Sequence, residues 1–285
     1  MKKIFPIMLA FALVSFVVFI AAIGSTVSNP SRTILIVPGY DDVFHKKILF
    51  PTVRVSNLDI TEKGSGVVIR SEKVGDVYHN VVLTCFHCVT DPDGFYYIDL
   101  PIYENDVFVN WDRHPALVYS GSSEHDIAVL LFKTNSQLYV ADILFSCKAF
   151  IGTKLVHVGC GLGDQPRLDV GSITSLNSFV RPHSQAVYRT NMHVIPGDSG
   201  GPAFFENGLI GLIQAVKYTT FQGIPTLLPN ISFCIPIDSL KIWDVNQNQT
   251  LRFIYNNQVS LPVLPYAEME YFPIDWNNTK HEEGK

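Results

Sequence analysis

The sequence predicts an all-β protein, either a sandwich or a pair of barrels, and three observations predict it. Short apolar runs recur along most of the chain, each bounded by Gly, Pro, Asn or Asp. Long amphipathic helical patterns are scarce. The composition, 47% hydrophobic, 12% aromatic and only 16% charged, is that of a packed chain and excludes disorder. The 285 residues suffice for one large β domain or two smaller ones.

Taken in order, the first element is a targeting segment. Lys2 and Lys3 precede Ile4 to Ile23, an uncharged and mostly apolar run of 20 residues broken only by Pro6. As a helix rising ~1.5 Å per residue the run reaches about 30 Å, enough to cross a bilayer core. The flanking lysines would keep its amino end cytoplasmic. The small residues Ala22 and Gly24 also suit a cleavage site, so residues 1–24 are read as a signal peptide or a membrane anchor. Either reading places the remainder outside the cytoplasm, and the anchor reading adds a membrane partner. Residues 25–47, rich at first in Ser, Thr, Asn and Pro, read as a linker and N-terminal segment.

Strands are then predicted at Gly66–Ile69, Val81–Thr84, Phe95–Leu100, Ala116–Tyr119, Ile127–Phe132, Lys154–Val158, Val187–Thr190, Ala203–Phe205, Leu209–Val216 and Ile231–Ile235. From Ile237 to about Tyr255 apolar residues fall at uneven spacing, the pattern of a short terminal helix at most. No internal repeat is evident.

Charge excludes one class of function. With 21 basic against 26 acidic side chains and no basic cluster beyond Lys2 and Lys3, nothing steers the chain toward nucleic acid. The five cysteines are an odd number, so at least one is unpaired if the others bond. Cys85 and Cys88 have metal-knuckle spacing, but no second cysteine pair or close histidine pair completes four ligands. The reading therefore assigns no metal and no cofactor, and treats most of the thiols as small apolar fillers.

Three segments carry chemistry. Gly197-Asp198-Ser199-Gly200-Gly201-Pro202 places a serine in a glycine-rich turn. A serine hydroxyl is a weak nucleophile until a base takes its proton and donors stabilise the resulting oxyanion. Glycine lets the chain turn so that the N–H groups of Gly197 and Ser199 converge on one point. The run Leu83 to Val89 sets His87 at the end of a predicted strand, where a general base is held rigidly. The other eight histidines are read as surface or packing residues. Asp126 leads into the apolar run Ile127–Leu131 and is suited to accept the imidazole Nδ1–H. The order His87, Asp126, Ser199 is that of chymotrypsin. An esterase order, serine first and histidine last, would have to use His281 in the charged end of the chain.

These residues resemble the trypsin-like peptidases, nearer to the HtrA/Deg branch than to the disulfide-rich digestive enzymes, over about Pro51 to Asp244. Gly64–Ile69 resembles the early GSG strand of that branch. Val158–Gly163 resembles its glycine loop, Val170–Leu176 the strand after it, and Ile231–Ile237 its last strand. The resemblance implies two packed six-stranded antiparallel β-barrels. On that basis residues 48–244 form a peptidase domain with barrels at about 48–140 and 141–244. His87 and Asp126 belong to the first barrel, Ser199 to the second, and the cleft lies between them. It further implies an oxyanion hole of Gly197 and Ser199, and a substrate pocket walled by His193, Gln214, Ala215 and Val216, with no acid to select Lys or Arg. The digestive-enzyme cysteine partners are missing. The C-terminal extension, 245–285, is too short for the PDZ domain usual in HtrA proteins. The activity expected is that of a serine endopeptidase acting on proteins or peptides. The competing classes are a catalytically idle peptide-binding module and an export-side chaperone.

Overall fold

A computed structural model describes residues 41–237, apart from 59, 61–62, 91–94, 105–106, 145–146, 184, 222–223 and the side chains of a few strand residues. The predicted N-terminal hydrophobic helix, most of the linker, the terminal helix and the C-terminal extension lie outside the described residues. Residues 1–45 form a unit of their own, of which the helical turn Asp41–Phe44 is described.

The described residues of the second unit, from Lys46 onward, are built almost wholly of strands. Its first six are β1 (Thr52–Asn57), β2 (Lys63–Val74), β3 (Val77–Thr84), β4 (Tyr96–Glu104), β5 (Val107–Ser122) and β6 (Ile127–Thr134). They close into an antiparallel barrel in the order β1-β2-β3-β6-β5-β4, sealed by the pairing of β1 with β4. Alternation explains its core. Ala128, Leu130 and Phe132 of β6 point inward with Val53 and Val55 of β1, Val68 of β2, Val82 of β3 and Ile98 of β4. The intervening Ile127, Val129 and Leu131 are buried as well, so β6 is apolar on both faces and reads as a continuous run.

The remaining strands are β7 (Asp142–Ile143), β8 (Lys154–Gly159), β9 (Arg167–Ser178), β10 (Val187–Thr190), β11 (Pro202–Phe205), β12 (Gly208–Phe221) and β13 (Ile224–Pro236). The order β8-β9-β10-β13-β12-β11 closes through β11 against β8, and β7 adds to β12 in parallel. Its core gathers Leu155, Ile173, Met192, Ala203, Ile210, Ile213 and Cys234. Buried side chains of this size each contribute roughly 1.5–3 kcal/mol. The pair of six-stranded barrels is the predicted architecture. The strands exceed their predicted lengths because polar residues that face solvent still pair, as Arg167 does with Gly159 and Asp169 with His157.

Cys85, Cys88, Cys160 and Cys234 carry free thiols, and Cys85, Cys160 and Cys234 are fully buried. They fill core positions as the sequence suggests, and burial drives each thiol above its ordinary pKa.

Candidate active site

His87 lies in a single 3-10 turn, Phe86–Cys88, directly after β3. Its ring Nδ1 is 2.9 Å from both carboxylate oxygens of Asp126, and its backbone N–H donates to Asp126 Oδ1 at 2.9 Å. Asp126 is fully buried at the turn before β6 and has a left-handed φ of 54°, a conformation that a short polar side chain tolerates better than most. Burial works to raise its carboxyl, but the hydrogen bonds from His87 outweigh that and hold it below the usual carboxylate range. The structure brings these two residues, 39 positions apart in the chain, together.

Ser199 approaches from the second barrel, without a hydrogen bond between its hydroxyl and His87 among the described residues. Its carbonyl accepts the Ser65 N–H at 2.7 Å and faces the Cys88 thiol at 3.5 Å, next in the chain to His87. Its hydroxyl donates to the Gln214 carbonyl at 3.1 Å. That acceptor is free because β12 bulges there. Ile213 pairs with Cys234 and Ala215 with Phe233, leaving Gln214 as the extra residue outside the ladder.

The backbone around Ser199 is tied from behind. The carbonyls of Pro196, Gly197 and Asp198 accept from Leu162 N–H at 2.6 Å, Ser65 Oγ–H at 2.7 Å and Gly201 N–H at 2.9 Å. In a trans peptide the N–H points opposite to the carbonyl. The N–H groups of Gly197 and Ser199 therefore face away from these anchors, and neither donates to an acceptor among the described residues. Gly197 has φ 97°, and a Cβ there would stand 2.6 Å from Leu162 N. Only glycine fits that position.

Of the expected pocket residues, His193 is exposed, and its backbone is bound to Asp169 and Arg167. The Gln214 side chain is buried with neither amide atom hydrogen-bonded. Ala215 is half-buried, and Val216 packs against the second core. A distinct cleft of about 240 Å³ lies against Gly197, lined by Ile60, Lys63, Leu162 and Pro196. Among the described residues, one metal-like group converges: Cys85, His87 and Asp126, with donor atoms within 4.8 Å of one another. The Cys85 thiol is buried, held protonated, and donates to the Ile213 carbonyl at 3.2 Å, so it is a poor ligand.

Two contributors were not legible in the sequence. Ser65 stood only in the GSG segment, yet it is fully buried and uses every polar atom. Beyond its bonds to Ser199 and Gly197, its Oγ accepts Cys160 N–H at 2.7 Å and its carbonyl accepts Thr84 Oγ1–H at 2.7 Å. Replacing Ser65 by alanine is expected to strand the Cys160 N–H and cost about 1–3 kcal/mol, seen as a lower urea midpoint at unchanged slope. An unaltered midpoint would contradict this. His183, counted with the surface histidines, instead turns Nε2 toward Asp126 Oδ2 at 3.6 Å while Nδ1–H donates to the Ser123 carbonyl at 3.0 Å. The fold alone brings it there, from the segment between β9 and β10.

A pair of closed six-stranded barrels, with an acid–imidazole pair on one and a glycine-flanked serine turn on the other, is the architecture of the trypsin-like peptidase domains. The model of that family, described as the trypsin-like peptidase domain, matches residues 64–212, just over half of the chain, and the chain belongs to it. It is similar to the serine protease Do-like HtrA of Lactococcus lactis subsp. cremoris, 24% identical over 233 residues that cover 78% of this chain and 52% of the relative. The Do-like HtrA of L. lactis subsp. lactis is 27% identical over 190 residues, covering 63% of this chain and 43% of the relative. The Do-like 14 chain of Arabidopsis thaliana is 24% identical over 187 residues, covering 62% and 39%. This chain thus spans about two fifths to one half of the length of these relatives. Among solved structures, Deg5 superposes with a TM-score of 0.53 at 20% identity, over 70% of this chain and 88% of Deg5, which shows a shared fold.

Proposed function

We propose that the chain is a serine endopeptidase that hydrolyses peptide bonds through an acyl-enzyme. The observation that carries this reading is the buried Asp126 bonded to His87, with the Ser199 turn docked on the neighbouring residue and two N–H groups unspent. Ser199 Oγ attacks the substrate carbonyl while His87 takes its proton. The oxyanion is held by the N–H groups of Gly197 and Ser199, and water then releases the acyl group. To enter this cycle the hydroxyl rotates from Gln214 to His87, forming that bond as substrate arrives. His193, Gln214, Ala215 and Val216 are the proposed walls of the primary pocket. Residues 4–23 are proposed to take the peptidase out of the cytoplasm; among the described residues no helix is long and apolar enough to cross a membrane, and residues 4–23 lie outside them.

The Ser199–Gln214 hydrogen bond also suits a second reading, an idle peptide-binding module. A fluorophosphonate probe separates the two, because only an activated serine reacts quickly. Labelling at Ser199, together with new peptide termini released from a denatured protein mixture, is the expected result. Absence of both would leave only the binding reading.

A further inference from the structure

Beside the nucleophile lies a buried charge that the proposed mechanism does not use. Asp198 is fully buried. Its Oδ2 accepts Arg167 Nη2 at 2.5 Å and the Ile195 N–H at 2.9 Å. Its Oδ1 faces His157 Nε2 at 3.8 Å, beyond hydrogen-bonding distance. His157 is itself fixed, since its Nδ1–H donates to the Pro202 carbonyl at 2.8 Å. The guanidinium is thus the one cation in direct contact with this carboxylate among the described residues. Its placement follows from the β8–β9 ladder, where Arg167 pairs with Gly159 and reaches over that strand. A Cβ at Gly159 would stand 2.5 Å from Asp198 Oδ1, so only glycine at that position leaves room for the carboxylate.

Asp198 in turn shapes the backbone on both sides of it. Its N–H donates to the Ile195 carbonyl at 3.1 Å and its carbonyl accepts Gly201 N–H at 2.9 Å. Rotation of this residue would therefore carry the peptides of Gly197 and Ser199 with it. Arg167 Nη2 also donates to the His193 carbonyl at 2.7 Å, so one guanidinium secures the whole approach from His193 to the nucleophile.

We propose that Arg167 is a positioning residue: by pairing with the buried Asp198 carboxylate it keeps the Gly197 and Ser199 N–H groups aimed into the cleft. The inference rests on the serine peptidase reading and adds to that site a residue that touches neither substrate nor reacting atom. Without the guanidinium, the buried carboxylate retains one backbone donor and the His157 imidazole 3.8 Å away. It relieves its charge by taking up a proton or by turning outward, and either movement loosens the turn.

The test uses the full chain and the variants Arg167→Gln, Arg167→Lys and the double variant Arg167→Gln/Asp198→Asn. With a peptide substrate, Arg167→Gln is expected to lower kcat about 10²-fold, the loss that follows from misplacing one oxyanion donor, while KM changes less than about threefold. Arg167→Lys restores about tenfold of that loss, because a cation returns without the planar fork. The double variant carries no buried charge, so it folds even if Arg167→Gln does not, and its kcat exceeds that of Arg167→Gln. A kcat within about threefold of the parent in Arg167→Gln, or a loss confined to KM, overturns the inference and leaves the peptidase reading intact. If the parent chain neither cleaves nor takes the fluorophosphonate, the peptidase reading fails on its own. The inference is then decided by the backbone amide NMR signals of Gly197 and Ser199. Both are expected to move in Arg167→Gln and to return in Arg167→Lys, and unmoved signals overturn it.

Discussion

Replacing Ser199 by alanine is expected to lower kcat by about 10⁶-fold while leaving the protein folded, the effect of deleting the nucleophile from a triad that works as a unit. The fold should survive because the turn is held by its backbone. The Ser199 carbonyl is bound at Ser65, and the flanking carbonyls at Leu162 and Gly201, with no part played by the hydroxyl. The hydroxyl's one hydrogen bond, to the Gln214 carbonyl, is worth about 0.5–1.5 kcal/mol. Turnover of a peptide substrate and the urea midpoint are the two measurements. Undiminished turnover would remove Ser199 from the mechanism, whereas a collapsed midpoint would show that the serine is structural.

Asp126→Asn should cost about 10⁴-fold in kcat, since an amide can no longer hold His87 in the tautomer that accepts the serine proton. It should also move the pH dependence. Burial pulls the His87 imidazole down, but its hydrogen bond to Asp126 and the Cys88 thiol beside it outweigh burial and raise the ring to about 10. A general base must be neutral to act, so kcat/KM in the parent is expected to climb as pH rises toward that value. The asparagine removes the larger upward pull, so the rising limb shifts to lower pH even as the plateau drops. A limb that stays in place would mean that Asp126 does not set the basicity of His87.

The fold was legible where residues alternate or run apolar between turns. β6 is such a case: its run from Ile127 is buried on both faces, so almost every position carries the signal. β1 and β9 were not among the strands predicted from apolar runs. In β1, Arg54 and Ser56 are buried polar residues, spent on Asp99, so the strand does not look apolar. β9 exposes Leu168 and Val170 while burying Ile173, so its apolar residues do not mark a single inner face. The site was legible only in part. His87, Asp126 and Ser199 sit in local contexts that their chemistry demands, whereas Ser65, Arg167 and His183 act through partners 132, 31 and 57 positions away in the chain.

By itself the sequence determined the strands that carry continuous apolar runs and the glycine required at position 197, and it named His87, Asp126 and Ser199 as the candidate site. These are properties of a residue and its immediate neighbours. Tertiary structure alone decided that the Ser199 hydroxyl rests on the bulged Gln214 carbonyl, that Asp198 meets Arg167, and that a second imidazole faces Asp126. Such contacts arise when two closed barrels bring distant segments within hydrogen-bonding reach. Their energy lies in pairing buried polar groups, and nothing in the local sequence names the partner.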